Sequence, residues 1–124
     1  MLSEAVIETI APGTEGYLGV LAGHAPLMTE LVPGEIRATL ADGRTTSHIV
    51  ISGGFMEVTG SRTTVLADSA ERADEIDITR AEEDLASAKV LLAEAEAGSL
   101  RHGVAMQALA HAETRIRVHR SINR

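Results

Sequence analysis

IRATLADGRTTSHIVIS (Ile36–Ser52) places an Asp-Gly pair between two alternating runs. Ahead of the pair, Ile36, Ala38 and Leu40 alternate with Arg37, Thr39 and Ala41. After it, Ile49 and Ile51 alternate with His48, Val50 and Ser52. A period of two sends successive side chains to opposite faces of a strand, so each run reads as half-buried. Asp42-Gly43 between them predicts an antiparallel hairpin closed by a type I′ turn, which needs positive φ at both central residues.

The same pattern extends outward from this hairpin. From Met1 to about Arg72, short runs rich in Val, Ile, Thr and Leu are separated by PGTEG (Pro12–Gly16), AGHAP (Ala22–Pro26), VPGE (Val32–Glu35), SGG (Ser52–Gly54) and TGS (Thr59–Ser61). Turns recurring every ~8–12 residues are the spacing of a sandwich or barrel. From Asp77 the period changes. Ile78, Ala81, Leu85, Ala88, Leu92 and Ala95 form one apolar helical stripe, with Asp77 or Thr79 as the cap. Gly98 and Ser99 interrupt it, and Ala105, Leu109, Ala112 and Ile116 continue as a second stripe, whose first turn Gly103 weakens. Two helices with so short a break pack as an antiparallel hairpin. The expected fold is therefore α+β, an antiparallel β-sandwich over residues 1–73 followed by an α-helical hairpin over residues 74–124. Because the stripes are largely alanine, the hairpin buries little area and is marginal alone.

Composition narrows the function. The chain has 124 residues, 44% apolar and 23% charged, which fits a soluble globular protein of about one domain's size. Tyr17 and Phe55 are its only aromatics and the net charge is −7, so neither base stacking nor phosphate attraction favours nucleic acid as a ligand. There is no cysteine to form a disulfide, a thiolate metal site or a nucleophile. The N-terminus lacks the basic residues of a secretory signal and no apolar run is long enough to span a membrane, which leaves a cytosolic or peripheral protein. The charge is unevenly placed. Asp74 to Glu96 holds eight acids against Arg80 and Lys89, whereas Ala97 onward holds Arg101, Arg115, Arg117, Arg120 and Arg124 against Glu113. Two readings stand: an acidic helix pairs with a basic one, or the basic end reaches an acidic partner surface. Helical angles at 100° per residue put Arg115 where it can pair across the hairpin with an acid, and Arg117 toward solvent.

No catalytic constellation emerges. His24, His48, His102, His111 and His119 include no i, i+4 pair for a metal. Gly13, Gly16 and Gly19 fall between strands and open no helix, so they read as turn glycines and not a phosphate loop. Ser52 before Gly53-Gly54 has no acid-base partner to nominate. His24 in LAGHAPL (Leu21–Leu27) lacks a nucleophile or metal-spaced neighbour, and reads as a loop-fixing residue beside Gly23 and Pro26.

PGTEGYLGVLAGHAPLMTELVPGEIR, ISGGFMEVTGSRTTVLADSAERADEID and IDITRAEEDLASAK together resemble the epsilon subunit of the bacterial and chloroplast F-type ATP synthase. The resemblance covers nearly the whole chain, and the order and spacing of its segments make it specific. It implies a non-catalytic central-stalk (rotor) subunit whose sandwich binds the gamma subunit and the polar loops of the c-ring, peripheral to the cytoplasmic face of the bacterial cell membrane. It also implies a hairpin that folds down on the sandwich or, in some members, extends toward the alpha-beta hexamer and blocks ATP hydrolysis. Glu15, Tyr17, His24, Pro26 and Leu27 are the partner-binding residues so implied, with Tyr17 where the family often has an acid. No cofactor is required. Some members bind ATP as a regulatory ligand through an I-D-x-x-R-A motif, matched here by Ile76, Asp77, Arg80 and Ala81. Of their further arginines only Arg115 is matched, and Ser87 and His111 stand at the other positions. The motif also reads structurally, with Asp77 a cap and Arg80 paired to Glu83 or Asp84. A stand-alone ATP-sensing protein is the rival function. The family's opening strand, ahead of a segment like Leu2-Ser3-Glu4, has no counterpart here, which implies a late start or a short member with an exposed sheet edge.

Overall fold

A computed structural model of the chain describes residues 6–21, 23, 25–59 and 62–123. Its contacts divide it into two compact units, Met1–Arg72 and Ala73–Arg124. Residues 1–5, on which the expectation about the opening strand falls, and Ala22, His24, Gly60, Ser61 and Arg124 lie outside the described residues.

Among the described residues the first unit holds eight strands: β1 (Val6–Gly13), β2 (Gly16–Leu21), β3 (Leu27–Leu31), β4 (Gly34–Leu40), β5 (Thr46–Ile51), β6 (Gly54–Thr59), β7 (Arg62–Ala67) and β8 (Ala70–Arg72). All pairings are antiparallel, in the order β7-β6-β3-β1-β4-β5-β8, with β2 also on β1. β1 joins two layers. It pairs with β2 from Glu8 to Gly13 and with β4 from Val6 to Ile10, but meets β3 only at Gly13↔Leu31. Ala11, Val20, Ile36 and Ile51 from one layer and Leu31, Met56 and Val58 from the other form a single buried cluster. That is the expected sandwich. Full burial of a side chain such as Ile51 or Met56 contributes roughly 1.5–3 kcal/mol.

The hairpin that announced the fold is present but its turn differs. Ile36 pairs with Ile49 and Arg37 with His48, as the alternation requires. Only Gly43 has positive φ (73°), so the turn is not type I′. Gly43 N donates to Leu40 O (2.9 Å) and Leu40 N to Thr45 O (2.8 Å), which makes a longer loop of a turn followed by a left-handed glycine. Asp42 explains the preference. Its carboxylate accepts from Arg44 N (2.8 Å), Thr45 N (2.8 Å) and the Thr45 hydroxyl (2.6 Å), bonds a two-residue turn would not offer. β5 also departs from simple half-burial, because adjacent Val50 and Ile51 are both buried. Gly13 and Gly16 flank the Thr14-Glu15 turn, as expected of turn glycines, whereas Gly19 lies within β2.

The second unit opens with a 3-10 turn (Ala73–Glu75), followed by α1 (Ile78–Glu94) and α2 (Leu100–Ile122). Asp77, not Thr79, caps α1: its carboxylate accepts from Arg80 N at 3.1 Å. Ser99 caps α2 by accepting from His102 N at 3.1 Å, just after Gly98 turns the chain with φ of 81°. Ala81 and Ala88 on α1 and Ala105, Ala112 and Ile116 on α2 are buried, as the stripes predict. α2 also buries Thr114, Arg115 and Val118, off its stripe. The Thr114 hydroxyl donates to Ala110 O (2.8 Å), which satisfies it without a distant partner.

Candidate interaction surfaces and the hairpin ion pairs

Strand geometry separates the implied partner-binding residues into two places. Glu15 stands exposed in the two-residue turn between β1 and β2, with Tyr17 one residue into β2. Pro26 is exposed in the loop that leaves the far end of β2. Six residues of β2 lie between these sites, about 20 Å of extended chain. Leu27, which opens β3, is half-buried and packs against the core cluster, so it anchors the loop from inside. Tyr17 is half exposed, yet its hydroxyl accepts from Glu35 N at 3.2 Å. Its ring crosses toward Pro12 and Gly34, where any side chain larger than hydrogen would crowd Pro12 and the Tyr17 oxygen.

A further surface was not picked out in the sequence reading. On the outer face of β3, β6 and β7, Glu30, Phe55 and Leu66 form one cross-strand row and Met28, Glu57 and Thr64 the next. Met28, Phe55 and Leu66 are 68%, 56% and 71% exposed, and together with Glu57 and Thr64 they line a shallow hollow. Adjacent large apolar residues on open sheet surface, rimmed by two carboxylates, are the anatomy of a partner contact. The signal was present in the alternation. Leu27, Thr29 and Leu31 share one face of β3 and Met28 and Glu30 the other, but only strand register shows that Phe55 and Leu66 join the outward set.

Glu35 forms the other unanticipated group. It is 6% exposed, and its two carboxylate oxygens meet Arg37 Nε (3.1 Å) and His48 Nδ1 (2.7 Å). Arg37 and His48 are cross-strand partners, so the hairpin register itself assembles the cluster. A buried carboxylate needs such partners, and here they tie β4 to β5. Ser52 has a structural contact too, as its hydroxyl accepts from the Ser69 hydroxyl at 2.8 Å. Among the described residues no group of three His, Cys, Asp or Glu could hold a metal ion.

In the helical unit, the I-D-x-x-R-A residues fall at the start of α1. Ile76 and Ala81 are buried and Asp77 is the cap. Arg80 Nε lies 3.3 Å from Asp84 Oδ1, and Arg115 NH1 lies 3.0 Å from Asp84 Oδ2. The cross-hairpin pairing expected of Arg115 is therefore present, and Arg80 pairs with Asp84, not Glu83. Ser87 is exposed and His111 half-buried. Arg117 and Arg120 are exposed beside Leu85, Glu113, Ile116 and Ser121, which line an open groove. No helix of the described residues is long and apolar enough to cross a membrane.

Residues 1–73 match the family described as ATP synthase, Delta/Epsilon chain, beta-sandwich domain. The eight-stranded unit is thus a sandwich of the delta/epsilon class. ATP synthase epsilon chains of Brucella canis and of Brucella suis biovar 1 are each 44% identical to the chain over 101 residues, covering 82% of it and 74% of each relative. The chain belongs to the ATP synthase epsilon chain family. Among solved structures, a chain of the Euglena gracilis mitochondrial ATP synthase (OSCP/F1/c-ring, rotational state 1) superposes with a TM-score of 0.78 at 26% identity, over 92% of this chain and 70% of that one. A chain of the Tetrahymena thermophila mitochondrial ATP synthase central stalk and c-ring shares the fold, with a TM-score of 0.55 at 12% identity, over 97% and 84%.

Proposed function

We propose that the protein is the central-stalk epsilon subunit of an F-type, proton-translocating ATP synthase, a non-catalytic part of the rotor at the cytoplasmic face of the bacterial cell membrane. The observation that carries this reading is the 44% identity to epsilon chains over 82% of the chain, a span too long for the sandwich alone. The geometry suits a rotor adaptor with two simultaneous contacts. The β1–β2 turn with Glu15 and Tyr17 meets the polar loops of the c-ring. The loop with His24 and Pro26 and the Met28–Phe55–Leu66 face meet gamma. About 20 Å of β2 between turn and loop keeps the two partners apart. When the hairpin extends, exposed Arg117 and Arg120 are placed to reach an acidic surface on the alpha-beta hexamer and restrain hydrolysis.

Co-expression with gamma and the c-ring tests this directly. The wild-type chain is expected to co-purify with both, and failure to retain gamma would refute the assignment. Phe55→Ser with Leu66→Ser should release gamma by about 30-fold or more, since apolar anchors at the centre of an interface typically carry ~2 kcal/mol or more. The sandwich should stay folded, because both side chains are over half exposed.

A further inference from the structure

Of the arginines that the resemblance implies for a nucleotide's phosphates, this hairpin has only Arg80 and Arg115, and each forms an ion pair with the same carboxylate, Asp84. The Arg115 side chain is only 11% exposed, whereas that of Asp84 is 45% exposed. A guanidinium so far removed from water needs an anion beside it. Asp84 supplies that anion from within α1, at i+4 from Arg80 and across the hairpin from Arg115. A triphosphate placed here would have to displace Asp84 and then lie beside a freed carboxylate, with Asp77, Glu82 and Glu83 on the same two turns. Exposed Ser87 and half-buried His111 provide no guanidinium to offset this repulsion. The residues present do not fit the nucleotide.

We infer that Asp84 takes the place of an anionic ligand: it closes the hairpin by bridging Arg80 and Arg115, and the hairpin folds without nucleotide. The bridge joins residues 31 apart in sequence, so it restrains the opening of the helix pair and not the helices singly. It acts within the second unit, and it holds whichever partner the sandwich binds.

Amide hydrogen exchange on the full chain reads both units separately. Wild-type α1 and α2 amides should be equally protected with and without Mg-ATP up to about 1 mM, a range that detects any affinity stronger than ~4 kcal/mol. Asp84→Asn and Arg115→Gln should each speed exchange at buried α1–α2 positions about tenfold or more, while the β6 amides keep their protection. The double variant should lose less than the sum of the two single effects, as expected when both remove the shared Asp84–Arg115 contact. Asp84→Glu should retain most of the protection, and Glu82→Gln should change nothing, which excludes a general charge effect. Two results would overturn the inference: ATP raising helix protection in the wild type, or Asp84→Asn and Arg115→Gln both leaving it intact. If Asp84→Asn fails to fold, Arg115→Gln and Asp84→Glu decide the matter alone.

Discussion

Gly54→Ala should be among the most damaging single-methyl changes in this protein. Gly54 starts β6 with φ of 151°, a backbone conformation that an L side chain adopts only under strain. A methyl group there would overlap the Leu66 carbonyl oxygen and lie 2.8 Å from Ala67 Cα and 3.0 Å from the Leu66 carbonyl carbon. These are backbone atoms of the neighbouring strand and cannot rotate away. Relief requires β7 to move off β6 at the Gly54↔Ala67 pair, with loss of ladder hydrogen bonds. Strain costs about 1–3 kcal/mol and each lost bond about 0.5–1.5, so roughly 3 kcal/mol in all. A unit spanning Met1–Arg72 has only roughly 4–11 kcal/mol to lose. With a urea slope of about 1 kcal/mol per M, the midpoint for β6 and β7 amide signals should fall by about 3 M. Gly43→Ala is the control. Gly43 has φ of 73° but nothing within 4 Å of the added methyl, so only the conformational cost of about 1–2 kcal/mol applies. Equal midpoint shifts in the two variants would refute the argument from strand contact.

Met56→Ala, at a fully buried position of the core cluster, should cost about 2–5 kcal/mol, measured as a lower urea midpoint for the sandwich. Bonds from the Thr45 hydroxyl, then the Thr45 and Arg44 amides, hold the Asp42 carboxyl below its ordinary value. Its contribution is therefore complete above that value and fades as pH falls through the lowered one. A carbon-13 titration should place the Asp42 midpoint below the ordinary aspartate value, and Asp42→Asn should remove this part of the acid dependence.

The positions of strands and helices were largely legible because the signals are local. A strand's alternation, a helix's 3–4 spacing, the cap at Asp77 and the break at Gly98 and Ser99 act within a few residues of where they are read. The Asp42-Gly43 hairpin was legible as a reversal, but its turn type was not, since the bonds from Asp42 to Thr45 favour a longer loop. The sandwich surface was harder to read. Phe55 next to Met56, and Leu66 next to Val65, supply apolar residues to both faces, so hydrophobicity cannot say which face is core.

The amino-acid sequence by itself determined that this protein is a strand unit followed by a helical pair, because periodicity, turn residues and capping are short-range properties of the chain. Only the tertiary structure decided that Met28, Phe55 and Leu66 share an open face, that Glu35 is buried between Arg37 and His48, and that Glu15 and Pro26 stand at opposite ends of β2. It likewise decided that Arg80 and Arg115 converge on Asp84. Each of these depends on register, between strands or along the seam of two helices. Register is set by how whole elements pack, α1 along α2 and Leu31 with Met56 and Val58, and local sequence leaves it open.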